Sequence, residues 1–168
     1  MSELNKSIIQ NCEDSWEEEW ITGKKNKNNC SGFVKAVASK VNIFLPPTAD
    51  ADYLIAEIFR KKWYKLRSGK EAAQQASTGV FVVAGLLSDE HADDTTVHGH
   101  VVVVVDGPLA FEKYPTCWGG SIAETGRGGR CQGLTLNYAW NCDDRDNVTY
   151  HVWRPVLRKY SCGASGSW

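Results

Sequence analysis

Cys30 follows Asn28-Asn29 and precedes Ser31-Gly32 and the apolar pair Phe33-Val34. That pattern predicts a thiol in the first turn of a helix, behind residues suited to capping it. A sulfur there feels the positive end of the helix dipole and unpaired backbone N–H groups. Both favour the thiolate, which is the nucleophile. The N–H groups of Asn29 and Cys30 could also serve as an oxyanion hole. The plainer reading is a buried structural cysteine, and position alone does not separate the two. A nucleophilic thiol needs a base, and His98-Gly99-His100 opens the most apolar run in the chain, Val101–Val105. Strand period places residues 98 and 100 on one face. His100, next to the valines, is the expected base; His98 lies nearer the loop. His91, in the polar stretch 88–96, reads as a surface residue, and His151 as a spare candidate. The same His-x-His pair could hold zinc, with Asp106, His91 or His151 as a third ligand, although no recognisable spacing places one. The group that orients the imidazole is sought in the next strand, as a backbone carbonyl near Gly119 or the Ser121 hydroxyl, since no carboxylate occurs there before Glu124. Trp118 reads equally as a cleft wall or a core residue.

These residues need a scaffold. Leu4, Ile8, Cys12, Trp16 and Trp20 recur every four residues and predict an amphipathic helix over 3–21 with an acidic outer face. A polar loop leads to a second helix over 30–41. A third starts near Asp50 and carries Leu54, Ile55, Ile58, Phe59 and Trp63. A short fourth spans 70–76. After Gly79 the period changes to that of strands, expected at 80–84, 98–106, 116–123, 134–141 and 148–154. Helices first and strands second predict an α+β domain with N-terminal helices, about 1–78, packed on a C-terminal antiparallel sheet, about 79–168.

The chain has 168 residues, 42% hydrophobic, which fits one domain with its own core. With 19 Lys+Arg against 20 Asp+Glu, general nucleic-acid binding is not expected. No apolar run approaches the ~20 residues of a membrane span. The N-terminus has neither a basic segment nor an apolar one, so no signal peptide is expected and synthesis is placed in the cytoplasm. Charge is uneven: residues 21–70 hold eleven bases against three acids. That block is either a solvated helix face or a positive field near Cys30 that draws an anionic substrate.

The segments Asn29-Cys30-Ser31-Gly32-Phe33-Val34 and Gly99-His100-Val101-Val102-Val103-Val104 resemble the papain-like, NlpC-type cysteine peptidases of the cell wall. Adding Cys12-Glu13-Asp14-Ser15-Trp16, Ser68-Gly69-Lys70-Glu71-Ala72-Ala73-Gln74, Gly107-Pro108-Leu109, Lys113-Tyr114-Pro115, Cys117-Trp118 and Asp144-Arg145-Asp146, the chain resembles the first subfamily of type VI secretion amidase effectors over nearly its whole length. The resemblance implies an antibacterial toxin, made without a signal peptide, exported by the type VI apparatus and acting in a rival's periplasm. It implies cleavage of the peptidoglycan stem between D-glutamate and diaminopimelate, with Cys30 as nucleophile and His100 as base, no cofactor, and a cognate periplasmic immunity protein. A monomer is expected. Family members can carry a second cysteine where this chain has Gly119, so only the backbone could act at that position. The rival readings are a zinc-dependent amidase using His98 and His100, and a non-catalytic, disulfide-braced wall-binding module.

With Cys30 reserved for chemistry and Cys117 placed beside the cleft, Cys12, Cys131, Cys142 and Cys162 remain, with three possible pairings. Cys131 and Cys142 flank one strand, and Cys12 and Cys162 lie near the termini. Those two bridges are expected, formed only in an oxidising compartment. The 168 residues are read as one catalytic domain.

Overall fold

The computed structural model describes residues 3–93, 97–122 and 128–155. Its centre is the valine run. Strand β5 (His100–Val104) is buried along its entire length, because both faces of the sheet are covered. A strand enclosed on both sides reads as a continuous apolar run rather than as an alternation. Around it the main sheet has the order β3-β8-β4-β5-β6-β7, with every pairing antiparallel. The strands are β3 (Tyr64–Leu66), β4 (Val82–Leu86), β6 (Thr116–Gly119), β7 (Cys131–Thr135) and β8 (Thr149–Val152). A two-stranded ribbon of β1 (Glu19–Ile21) and β2 (Lys24–Lys25) stands apart from the sheet.

One face of the sheet, with Val83, Val101, Val103 and Trp118, packs on α1 (Glu3–Trp16), α2 (Cys30–Lys40) and the helix over 51–62. The opposite face, with Val82, Ala84, Val102, Val104, Cys117 and Cys131, packs on the Gly69–Ser77 helix through Ala72 and Ala76. Burial of each valine stabilises by roughly 1.5–3 kcal/mol, so β5 alone is a large part of the core.

The fold is α+β, with four departures from the sequence reading. The first helix ends at Trp16, although the four-residue repeat runs on to Trp20. The chain turns instead through Gly23, at φ +84°, into the β1–β2 ribbon, and Trp20 N–H donates to Asn26 Oδ1 at 3.0 Å. Tyr64–Leu66, in the helical half, supplies an edge strand of the sheet. The Gly69–Ser77 helix covers the far face, so helices lie on both sides. The strand expected over 134–141 is β7 followed by a 3-10 turn at Leu136–Tyr138.

Candidate active site

Asn29 begins α2. Its backbone is extended (φ −148°, ψ 94°), and its side-chain oxygen accepts from Gly32 N–H at 3.1 Å and from Ser31 Oγ at 3.2 Å. Gly32 is required here, because a Cβ would stand 2.4 Å from Asn29 Nδ2. The cap is held from behind by Asn26, whose carbonyl accepts Asn29 N–H at 2.9 Å and whose amide donates to Ser15 O at 2.9 Å. Arg130 braces the same turn through Lys27 O (3.0 Å) and Asn28 Oδ1.

Cys30 is 6% exposed and lines a cavity of about 230 Å³. Other walls come from Asn28, Ser31, Asp50, Asp52, His98 and Ser121. The sulfur lies against the backbone on both sides of His100. It is 3.9 Å from Gly99 O, and the Val101 N–H favours its charged form. Gly99 permits the fit, because a Cβ there would meet Asp52 Oδ1 at 2.5 Å. Burial pushes the Cys30 thiol up, against the lowering effects of the Val101 and Ser31 N–H groups and of Lys24.

The two histidines do not share an environment. His98 precedes β5, is exposed and lines the cavity. His100 is fully buried, with its ring 4.7 Å from that of Trp140. It stands in register with the opposite-face residues Val102 and Val104. Its Nε2 donates to Gly129 O at 2.9 Å, and its Nδ1 has no partner among the described residues. That bond fixes the tautomer, leaving Nδ1 as a bare acceptor. Burial depresses the imidazole to about 4, with His91 adding to the effect and Gly129 opposing it.

No protein-family model matches the chain. Over 154 residues it is 41% identical to the Peptidoglycan amidase Tse1 of Pseudomonas aeruginosa, an alignment covering 91% of this chain and 93% of that relative. The chain belongs to the type VI secretion amidase effectors. It is a hydrolase.

Several placements within this amidase differ from the sequence reading. The carbonyl that orients His100 belongs to Gly129, not to Gly119 or Ser121. A Cβ on Gly119 would press on Val102 Cγ1 at 2.5 Å, and Ser121 supports the helix by accepting Cys30 N–H at 3.3 Å. Both expected oxyanion N–H groups are therefore engaged within the chain: that of Cys30 on Ser121 O, and that of Asn29 on Asn26 O. Ser31 N–H, beside the sulfur, is the backbone donor that the cap leaves over. Trp118 is in the core, edge-on to Trp16 with ring centroids 5.6 Å apart, and does not line the cavity.

His91 is not a surface residue. Its side chain is 4% exposed and its Nδ1 is 2.8 Å from Asp144 Oδ2, while Asp144 Oδ1 accepts Ala92 N–H at 2.7 Å. His151 stacks on Phe59 in the α2-side core and does not line the Cys30 cavity. Among the described residues no three His, Cys, Asp or Glu side chains gather closely enough to hold a metal.

The basic block is partly held in contacts within the chain. Lys25 and Lys27 both bind Glu17, Lys40 binds Glu18, Arg60 binds Glu90, and Lys35 donates to Pro47 O and Ala49 O. At the cavity Lys24 faces Asp50 and Asp52. These carboxylates cap the backbone at Tyr53 N–H and Ser88 N–H, both 2.8 Å away. The local charge is mixed rather than positive.

Cys131 does not approach Cys142. Its sulfur is 3.1 Å from Cys117 Sγ, and Cys142 is an exposed free thiol. Cys12 is buried, and Cys162, its expected partner, lies outside the described residues.

Proposed function

We propose that this amidase is an antibacterial toxin that cuts the peptide stem of peptidoglycan between D-glutamate and diaminopimelate, using the Cys30 sulfur. The observation that carries this reading is the position of Cys30. It stands at the capped N-terminus of α2, on the floor of a cavity, with its sulfur against the strand that bears His100. The name of the Pseudomonas aeruginosa relative supports peptidoglycan as substrate.

Burial raises the thiol and depresses the imidazole, so the pair rests neutral. His100 Nδ1 makes no hydrogen bond to the sulfur at rest; when substrate binds it takes the thiol proton as the sulfur attacks the amide carbon. The Gly129 carbonyl keeps Nε2–H in place and stabilises the imidazolium that forms. Ser31 N–H and the positive end of α2 offset the developing charge. The imidazolium returns its proton to the departing amine, leaving an acyl-enzyme. Water, deprotonated by the same histidine, completes hydrolysis.

The 168 residues act as one catalytic domain, exported by the type VI apparatus into a target periplasm, and a cognate immunity protein blocks the cleft. The effector family supports this. Digestion of defined muropeptides followed by product mass tests the chemistry. Wild type is expected to give fragments cut after D-glutamate. Cys30→Ala should lose at least ~10³-fold in turnover with an unchanged circular-dichroism spectrum, as removal of a covalent nucleophile predicts. Retained turnover in that variant, or a cut at another bond, would sink the respective part of the proposal.

A second reading concerns the base alone. His98, rather than His100, lines the Cys30 cavity with its side chain exposed.

A further inference from the structure

We propose that Cys117 and Cys131 are a disulfide site, closed across β6 and β7 when the protein meets a disulfide-bearing oxidant. Their sulfurs are 3.1 Å apart and both residues are fully buried. A bond needs 2.03–2.05 Å, a closure within reach of small side-chain rotations. The backbone explains why the two side chains meet. Gly119 stands opposite Cys131 and offers no side chain, so the Cys131 sulfur is free to lean along the ladder toward Cys117. Cys131 pairs with Gly119, which shares a face with Cys117 two residues away, so both sulfurs point to one face, and the extra residue Gly133, at φ +66°, bulges β7 just beyond Cys131.

The pair is sealed by an edge. β7 is the last strand of the sheet, and Gln132, Gly133 and Leu134 are exposed. Opening this one short strand admits a small oxidant without unfolding the core. The Cys117 thiol donates to the Cys131 sulfur, which lowers the Cys131 thiol and makes it the attacking partner. The oxidant is a low-molecular-mass disulfide such as oxidised glutathione. The Cys131 thiolate attacks one of its sulfurs, and the first small thiolate leaves with the proton from Cys131. The Cys117 thiolate then attacks the Cys131 sulfur of the mixed disulfide, and the second small thiolate leaves with the other proton. Two protein thiols are oxidised and one small disulfide is reduced.

The bridge bears on the site. Gly129, whose carbonyl holds His100 Nε2–H, lies two residues before Cys131. Closing the bridge anchors that carbonyl to the central sheet. This consequence rests on His100 being the base, whereas the disulfide itself does not.

The full chain, purified reduced, is equilibrated in glutathione buffers of increasing oxidised fraction, quenched with acid, alkylated and digested without reductant. A peptide pair joining residues 117 and 131, about 2 Da lighter than its reduced halves, is expected. Oxidised wild type should melt about 5 °C or more above reduced wild type, and Cys131→Ser should show no such gain. Full alkylation of both thiols at the most oxidising ratio would overturn the proposal. So would a peptide joining Cys131 to Cys142 or Cys162. Muropeptide turnover is followed separately. A bridge that forms without changing turnover keeps the disulfide and removes only its hold on the Gly129 carbonyl.

Discussion

Cys30 and the Cys117–Cys131 pair are buried thiols on opposite faces of the same sheet, and they are equipped differently. Burial raises Cys30 and Cys117 alike. Around Cys30 stand backbone N–H groups, a helix N-terminus and a cavity. Around Cys117 stand core side chains and one other sulfur. Burial alone therefore does not mark a nucleophile. What separates the two is whether the sulfur faces dipoles and space, or a second thiol. His100 joins the regions, with its backbone against Cys30 and its ring among the far-face residues.

Removing each histidine in turn should separate the two faces most strongly. His100→Ala is expected to lower muropeptide turnover by about 10²–10⁴-fold, the usual contribution of a general base, while His98→Ala stays within a few-fold. The loss should fall on kcat, since His100 does not line the cavity. The opposite ranking would mean that the base reaches Cys30 from the cavity side and that the far face has no part in catalysis.

A smaller effect separates the faces by acid. His100 on the far face and His151 on the α2 side are both depressed to about 4 by burial. Unfolded, each takes its proton near 6.5, so between about 6.5 and 4 the unfolded chain binds more protons. Stability should fall as pH drops through that window, by about 1.4 kcal/mol per pH unit for each histidine. Urea midpoints at pH 7, 6 and 5 measure the slope. His151→Phe, which can keep the stack on Phe59, should remove about half of it. An unchanged slope in that variant would show that the α2 side takes no part.

The sequence makes the Cys30 side far more legible than the other. An asparagine cap, a small second residue and an apolar stripe are local signals, and α2 forms where they predict. The far face depends on partners distant in the chain. His91 meets Asp144 across 53 residues, and His100 meets Gly129 across 29. No periodicity announces either contact. Strand parity placed His98 with His100, but β5 begins only at His100, so the residue before Gly99 is free to turn into the cavity. The Cys131–Cys142 pairing followed from the ends of a supposed single strand. A bulge at Gly133 and a turn at Leu136 break that strand, and only register reveals that Cys131 faces Cys117. The run from Trp16 to Trp20 misleads for the opposite reason, because a local period continues past the point where Asn26 captures the Trp20 backbone.

The smallest test acts on the Cys30 side alone. Asn29→Ala removes the oxygen that accepts Gly32 N–H, a cap worth about 1 kcal/mol, and leaves β6 and β7 untouched. Urea unfolding should show that loss. Turnover should fall further than stability does, because the Ser31 N–H beside the sulfur is oriented by the same first turn. Asn29→Asp retains the acceptor and should recover the stability, yet it places a carboxylate next to the thiol and raises the cost of forming a thiolate. Turnover restored together with stability in Asn29→Asp would mean that the first turn serves the fold only. Turnover that stays low while stability returns would show that charge at the start of α2 governs the chemistry of Cys30.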